Sequence, residues 1–171
     1  MGALPASDDP QVFYSEVDQI RAGIDTVNAN IAHIESLHQR SLVDIDEANS
    51  SQTQRQLEQL VSETSSLNSS LVQRIKLLKG KVVRDPSKAP QVGVLDRTFK
   101  EALRKYQLVE KNFADRAREQ MARQYRIVKP EATEEEVRLA CEDSQGQQIF
   151  SQAVSWKSGN CVVVVGARAA S

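Results

Sequence analysis

Seven apolar residues near the start of the chain limit its fold more than any other feature. Phe13, Val17, Ile20, Ile24, Val27, Ile31 and Ile34 follow one another at steps of four and three residues. That is an a/d repeat held for three heptads, which lays one apolar seam along one side of a helix. A strand would need alternation at every second residue, and the pattern here is different. Such a helix must have its seam covered by other helices. Asp9 is placed to cap it, with Pro10 at the first helical position, where a missing N–H costs nothing. The helix is predicted to run to about Arg40, followed by a connection over 41–49.

Further stripes supply the covering helices. The second runs Leu57, Leu60, Thr64, Leu67, Leu71, Ile75 and Leu78, widened by Val61 and Val72, and is expected to end at Gly80 as a C-cap after Arg74, Lys76 and Lys79. A breaker-rich stretch over 80–93 contains Pro86 and Pro90 and reads as a connection. The third stripe begins near Asp96 and runs Phe99, Leu103, Tyr106, Val109, Phe113, Ala117, Met121, Tyr125 and Val128. Its later steps are mostly fours, so it drifts around the helix and ends at Pro130. Thr133 and Glu136 have capping-box spacing, which predicts a short fourth helix holding Val137, Leu139 and Ala140.

Three helices of about 30 residues with short connections settle as an all-α, antiparallel, up-down-up bundle. The expected core contains Ile20, Ile24, Val27, Ile31, Leu67, Leu71, Phe99, Tyr106 and Phe113. The expected organisation is a disordered N-terminus over 1–9, a bundle over 10–128, a linker with the short helix over 129–153, and an irregular tail over 154–171.

Composition agrees with a packed helical domain. Leu, Ile, Val and Phe total 43 of 171 residues, enough to build a core. Two cysteines twenty residues apart exclude a disulfide scaffold. No apolar run is long enough to span a membrane, and the first residues lack a signal-peptide pattern. Met1-Gly2 lacks the Ser or Thr at position 6 that myristoylation asks for, since Ala6 stands there. The expectation is a soluble, intracellular chain. Charge is segregated: residues 1–73 carry 11 acids and 3 bases, and residues 74–126 carry 15 bases and 6 acids. Oppositely charged helices packed side by side account for that balance.

Catalytic chemistry has little to work with. His33 and His38 are five residues apart and do not share a helix face as a metal pair would; His38 continues the first seam and reads as structural. Cys141 and Cys161 have no neighbouring base to activate them. Gly80-Lys81 lacks the rest of a phosphate loop, and Glu134, Glu135 and Glu136 suit the first turn of a helix. Arg97, Arg104, Lys111 and Arg118 recur every seven residues as a basic ridge. Acids are interleaved and no aromatic is exposed among them, so the ridge reads as a solvated face and no nucleic acid is expected. No catalytic, cofactor-binding or metal-ligating residue is assigned.

Three segments carry a resemblance. Phe13-Tyr-Ser-Glu-Val-Asp-Gln-Ile-Arg-Ala-Gly-Ile-Asp-Thr-Val27, with Glu35-Ser-Leu-His-Gln-Arg40, resembles the opening helix of syntaxins. Arg123-Gln-Tyr-Arg-Ile-Val-Lys-Pro-Glu-Ala-Thr-Glu-Glu-Glu-Val137 is similar to the end of their third helix and the segment just beyond it. Gly146-Gln-Gln-Ile-Phe-Ser-Gln-Ala153 resembles the approach to the SNARE motif. The similarity covers about residues 11–153 and is nearest to fungal plasma-membrane syntaxins. It implies the N-terminal regulatory domain of a Qa-SNARE in vesicle docking, fusion and exocytosis. The implied partners are a syntaxin SNARE helix and a Sec1/Munc18-type protein, and the family works at the cytoplasmic face of the plasma membrane or endomembranes.

The resemblance also implies a groove on the second and third helices. Val61, Val72 and Leu108 beside the seams are the candidate apolar residues, and Arg104 and Lys111 would favour an acidic visitor. A monomer is expected. The first ten residues contain no Sec1/Munc18-binding peptide pattern, and Asp96-Arg97-Thr98 is similar to one but internal. Residues 154–171 depart from the family, with neither SNARE heptads nor an anchor. Val154-Ser155 can be encoded by GTA-AGT or GTG-AGT, so the tail is read as intron read-through or an equivalent gene-model error. The competing reading is a coiled-coil scaffold with no SNARE role.

Overall fold

A computed structural model describes residues 9–44 and 46–143. Helix α1 spans Pro10–Val43, α2 spans Glu47–Val82, and α3 spans Ala89–Val128. A 3-10 turn, Pro86–Lys88, precedes α3. A further helix, α4, occupies 134–143. No strand occurs among the described residues. Of the expected N-terminal segment only Asp9 is described, and the expected tail over 154–171 lies outside the described residues.

Helices α1, α2 and α4 begin where the sequence supplies a side-chain cap, and α3 begins after Lys88 without one. The Asp9 carboxylate accepts from the Gln11 amide at 2.9 Å, with Pro10 in the first turn. Asp46 does the same for α2, accepting from the Ala48 amide at 3.2 Å. The capping box of α4 is reciprocal: Thr133 N–H donates to Glu136 at 3.0 Å, and Glu136 N–H donates to the Thr133 hydroxyl at 3.3 Å.

Cross-helix bonds give the topology. Along α1, Glu16 meets Arg74, Asn30 meets Thr64, and Asp44 meets Thr53, so the sequence separation falls from 58 to 34 to 9. Helices α1 and α2 are therefore antiparallel. Between α1 and α3 the separation stays near constant, 72 for His38–Glu110 and 78 for Leu42–Gln120, which is a parallel pair. The up-down-up arrangement results, with α1 packed against both others. At 1.5 Å per residue, α1 is about 50 Å long, so the bundle is elongated.

The α1 seam is buried from end to end; Ile20, Val27, Ile31 and Ile34 are fully enclosed. Of the expected core, Leu67 and Phe113 are only partly buried and the other seven are inside. Gly23 lies where α1 and α2 come close, because a Cβ there would stand 2.7 Å from Leu71 Cδ2.

Boundaries differ from expectation at the breaker-rich stretch. Gly80 does not cap α2, which continues to Val82, and α3 starts at Ala89 rather than near Asp96. Pro90 is tolerated because it falls in the first turn, where its missing N–H has no intrahelical acceptor. Val92 and Leu95, 3% and 2% exposed, extend the apolar stripe backwards and hold that added turn onto the core. In α4 the buried residues are Val137 and Cys141, one turn apart, while Leu139 is 49% exposed. Leu139 faces away because positions two apart lie on nearly opposite sides of a helix.

Candidate functional site

The faces of α2 can be told apart by what they touch. Lys79 donates to Asp96 of α3 at 2.7 Å, so the stripe containing Val72 and Lys79 faces α3. Arg74 grips Glu16 of α1 through two bonds, 2.7 and 2.9 Å, so the opposite flank faces α1. The expected partner groove belongs to the first of these flanks.

The five residues expected to line it separate into three positions. Val61 is 7% exposed and belongs to the core, so it is not available to a visitor. Val72 is partly buried and packs against the core on the α3 side, as Leu103 of α3 also does against that core. Arg104, Leu108 and Lys111 are exposed, Leu108 by 57%. They share one face of α3 and point away from the stripe of Phe99, Ala102, Tyr106 and Val109 that enters the core. Val61 lies inside, Val72 lies at the crevice, and the three α3 residues form an outer surface; they do not line a single depression. Lys111 is further engaged with Asp115 at 3.0 Å.

A buried polar cluster sits elsewhere, between α1 and α3. His38 is 2% exposed; its Nε2 lies 2.9 Å from Glu110 Oε1, and its ring stacks on Phe113 with centroids 3.8 Å apart. Its Nδ1 has no hydrogen-bond partner among the described residues. Burial raises the phenol pKa of nearby Tyr106, and the Glu110 charge adds to that. Heptad position alone marked His38 as structural, but only the fold supplies Glu110 and Phe113. Cys141 is 1% exposed and its thiol points to the Arg118 carbonyl at 3.8 Å. Among the described residues no group of His, Cys, Asp and Glu could hold a metal ion, and no helix is long and apolar enough to cross a membrane.

The described bundle and its caps lie within a match to the syntaxin family model that covers residues 8–154. The chain belongs to the syntaxin family. Protein SSO1 of Saccharomyces cerevisiae is 34% identical over 142 residues, covering 83% of this chain and 49% of that protein. Syntaxin-like protein psy1 of Schizosaccharomyces pombe is 33% identical over 148 residues, covering 83% of this chain and 52% of psy1. This syntaxin thus spans about half the length of the curated relatives it matches. The fold is that of a chain in the crystal structure of the Unc18–syntaxin 1 complex from Monosiga brevicollis, with a TM-score of 0.71 at 20% identity, covering 91% of this chain and 76% of that one.

Proposed function

We propose that this bundle is the regulatory N-terminal domain of a syntaxin-type SNARE, acting in vesicle docking, membrane fusion and exocytosis. The observation that carries the reading is the family match running the whole length of the described bundle. The proposed action is twofold: α2 and α3 together accept a SNARE helix, and the domain binds a Sec1/Munc18-type protein. The crevice beside Val72 and Leu103 would take the apolar edge of the helix, with Arg104 and Lys111 on the outer face drawing acidic side chains. The Unc18–syntaxin 1 complex supports the second partner by fold alone. The site of action would be the cytoplasmic face of the plasma membrane, as the likeness to fungal plasma-membrane relatives suggests.

Titration of the isotopically labelled chain with a syntaxin SNARE-motif peptide tests the first partner. Binding in trans lacks the effective concentration of a tether, so a Kd of about 1 μM or weaker is expected, with shifts on α2 and α3. A co-purification with a Sec1/Munc18-type protein tests the second. Failure of both would leave the coiled-coil scaffold reading in place of this one.

A further inference from the structure

A different face of the bundle carries a second docking feature, independent of the α2–α3 proposal. Where α1 begins and α2 ends, the outer seam between these two helices opens into a hollow of about 440 Å³. Val12 from α1 and Leu77 from α2 line it while remaining 56% and 69% exposed. Leu78, only 1% exposed, lies at its base. Gly80 leaves the wall open, since a Cβ there would meet nothing within 4 Å. A glycine inside a helix is less favourable than alanine, so this opening comes at the expense of local helix stability.

The charges around the hollow are unbalanced in one direction. The acids described at this end are already engaged. Glu16 is held by Arg74, Asp96 by Lys79 and Lys100, and Asp18 by Arg21. Asp85 pairs with Lys88 and caps the 3-10 turn, and Asp9 caps α1. Lys81 and Arg84, which line the hollow, make no salt bridge among the described residues. Lys81 lies one turn beyond Leu77 on the same face of α2, and Arg84 follows in the turn just past the helix end. An apolar residue is thus followed by two cations that form no ion pair among the described residues, Lys81 also lying in the field of Glu16.

We propose that this hollow is a docking groove for an acidic amphipathic helix of a partner protein. A third helix can lie along the seam of two others, placing aliphatic side chains between Val12 and Leu77 and carboxylates against Lys81 and Arg84. The open wall at Gly80 lets its backbone come close. From Arg74 to Lys81 the α2 wall of the groove is about 10 Å long, the reach of about two helical turns. Concavity favours a helix over a lipid surface, because a flat bilayer cannot follow a floor recessed between two helices.

The test uses the full chain, labelled with nitrogen-15, and a designed amphipathic peptide of about four turns, with leucines along one face and glutamates flanking them. Shifts should centre on Val12, Leu77, Gly80 and Lys81. Gly80→Leu fills the opening and removes a helical glycine, so it should keep or raise the melting temperature and still weaken binding about tenfold or more. The double variant Lys81→Glu, Arg84→Glu should weaken it similarly, and a peptide with lysines in place of glutamates should not bind. Absent shifts, equal binding of the lysine peptide, or full binding by Gly80→Leu would each overturn the proposal. So would retention on phosphatidylserine vesicles that both variants abolish when the peptide itself gives no shifts, which would assign the hollow to a membrane.

Discussion

Asn68 sits in the α2 seam, 5% exposed, with neither its amide nitrogen nor its amide oxygen hydrogen-bonded among the described residues. A buried unsatisfied amide costs about 1–3 kcal/mol, so Asn68→Leu should raise stability by that order if the larger methyl groups fit. Urea unfolding checks this, and a lowered midpoint would show that the amide contributes to the fold. The neighbouring Thr64 is different: its hydroxyl donates to the Leu60 carbonyl at 2.6 Å and accepts from Asn30 at 3.1 Å. Polar residues in one stripe therefore have opposite standing, and spacing alone does not separate them. Ile24, 1% exposed, is the opposite case, where spacing and burial agree. Ile24→Asp would bury an unpaired charge and should cost on the order of 3–5 kcal/mol. Cooperative melting at an unchanged temperature would reject its place in the seam.

At the scale of elements, single contacts hold long helices in register. The Arg74 guanidinium beside Glu16 holds that carboxyl below its ordinary value by hydrogen bonding, against a smaller opposing effect of burial. A depressed carboxylate stabilises the fold above its unfolded-state pKa, and the effect is lost as pH falls through the folded value. Arg74→Gln should therefore lower stability near neutrality and flatten its decline in acid. Parallel pH profiles for the two proteins, measured by thermal melting, would mean that the pair contributes nothing. Helix α4 docks through Val137 and Cys141 and is tied by Arg126–Glu134 and Lys129–Glu136. The Cys141 thiol should react slowly with a maleimide while α4 is docked. Thr133→Ala removes one half of the capping box, costs about 1 kcal/mol, and should speed that reaction several-fold. Peptide mapping by mass spectrometry reads Cys141 separately from Cys161, and equal rates would place α4 outside the cooperative unit.

For the whole molecule, the acidic first part and the basic later part of the chain meet inside one fold, as in Glu16–Arg74. The complete α1 seam is covered by α2 and α3, which leaves none of it for a second copy. Sedimentation should therefore give a single chain of 19.0 kDa, and a dimer would show that another face self-associates. Particular stretches such as Lys129-Pro-Glu-Ala-Thr-Glu134 carry the syntaxin resemblance, while heptad spacing, caps at Asp9 and Thr133, and the stop at Pro130 made the helices and their seam legible without coordinates. Those signals are local, repeating every turn, so a linear pattern carries them in full. The flanks of each stripe are a different matter. Val61 is covered while Leu77 and Leu108 are open, although all three are aliphatic residues at the edges of apolar stripes. Burial at such positions depends on how helices cross and where their neighbours end. Those relations join residues tens of positions apart, as His38 joins Glu110 and Arg74 joins Glu16. Periodicity chooses the face of a helix that turns inward, and only tertiary packing decides how far around the helix the covering reaches.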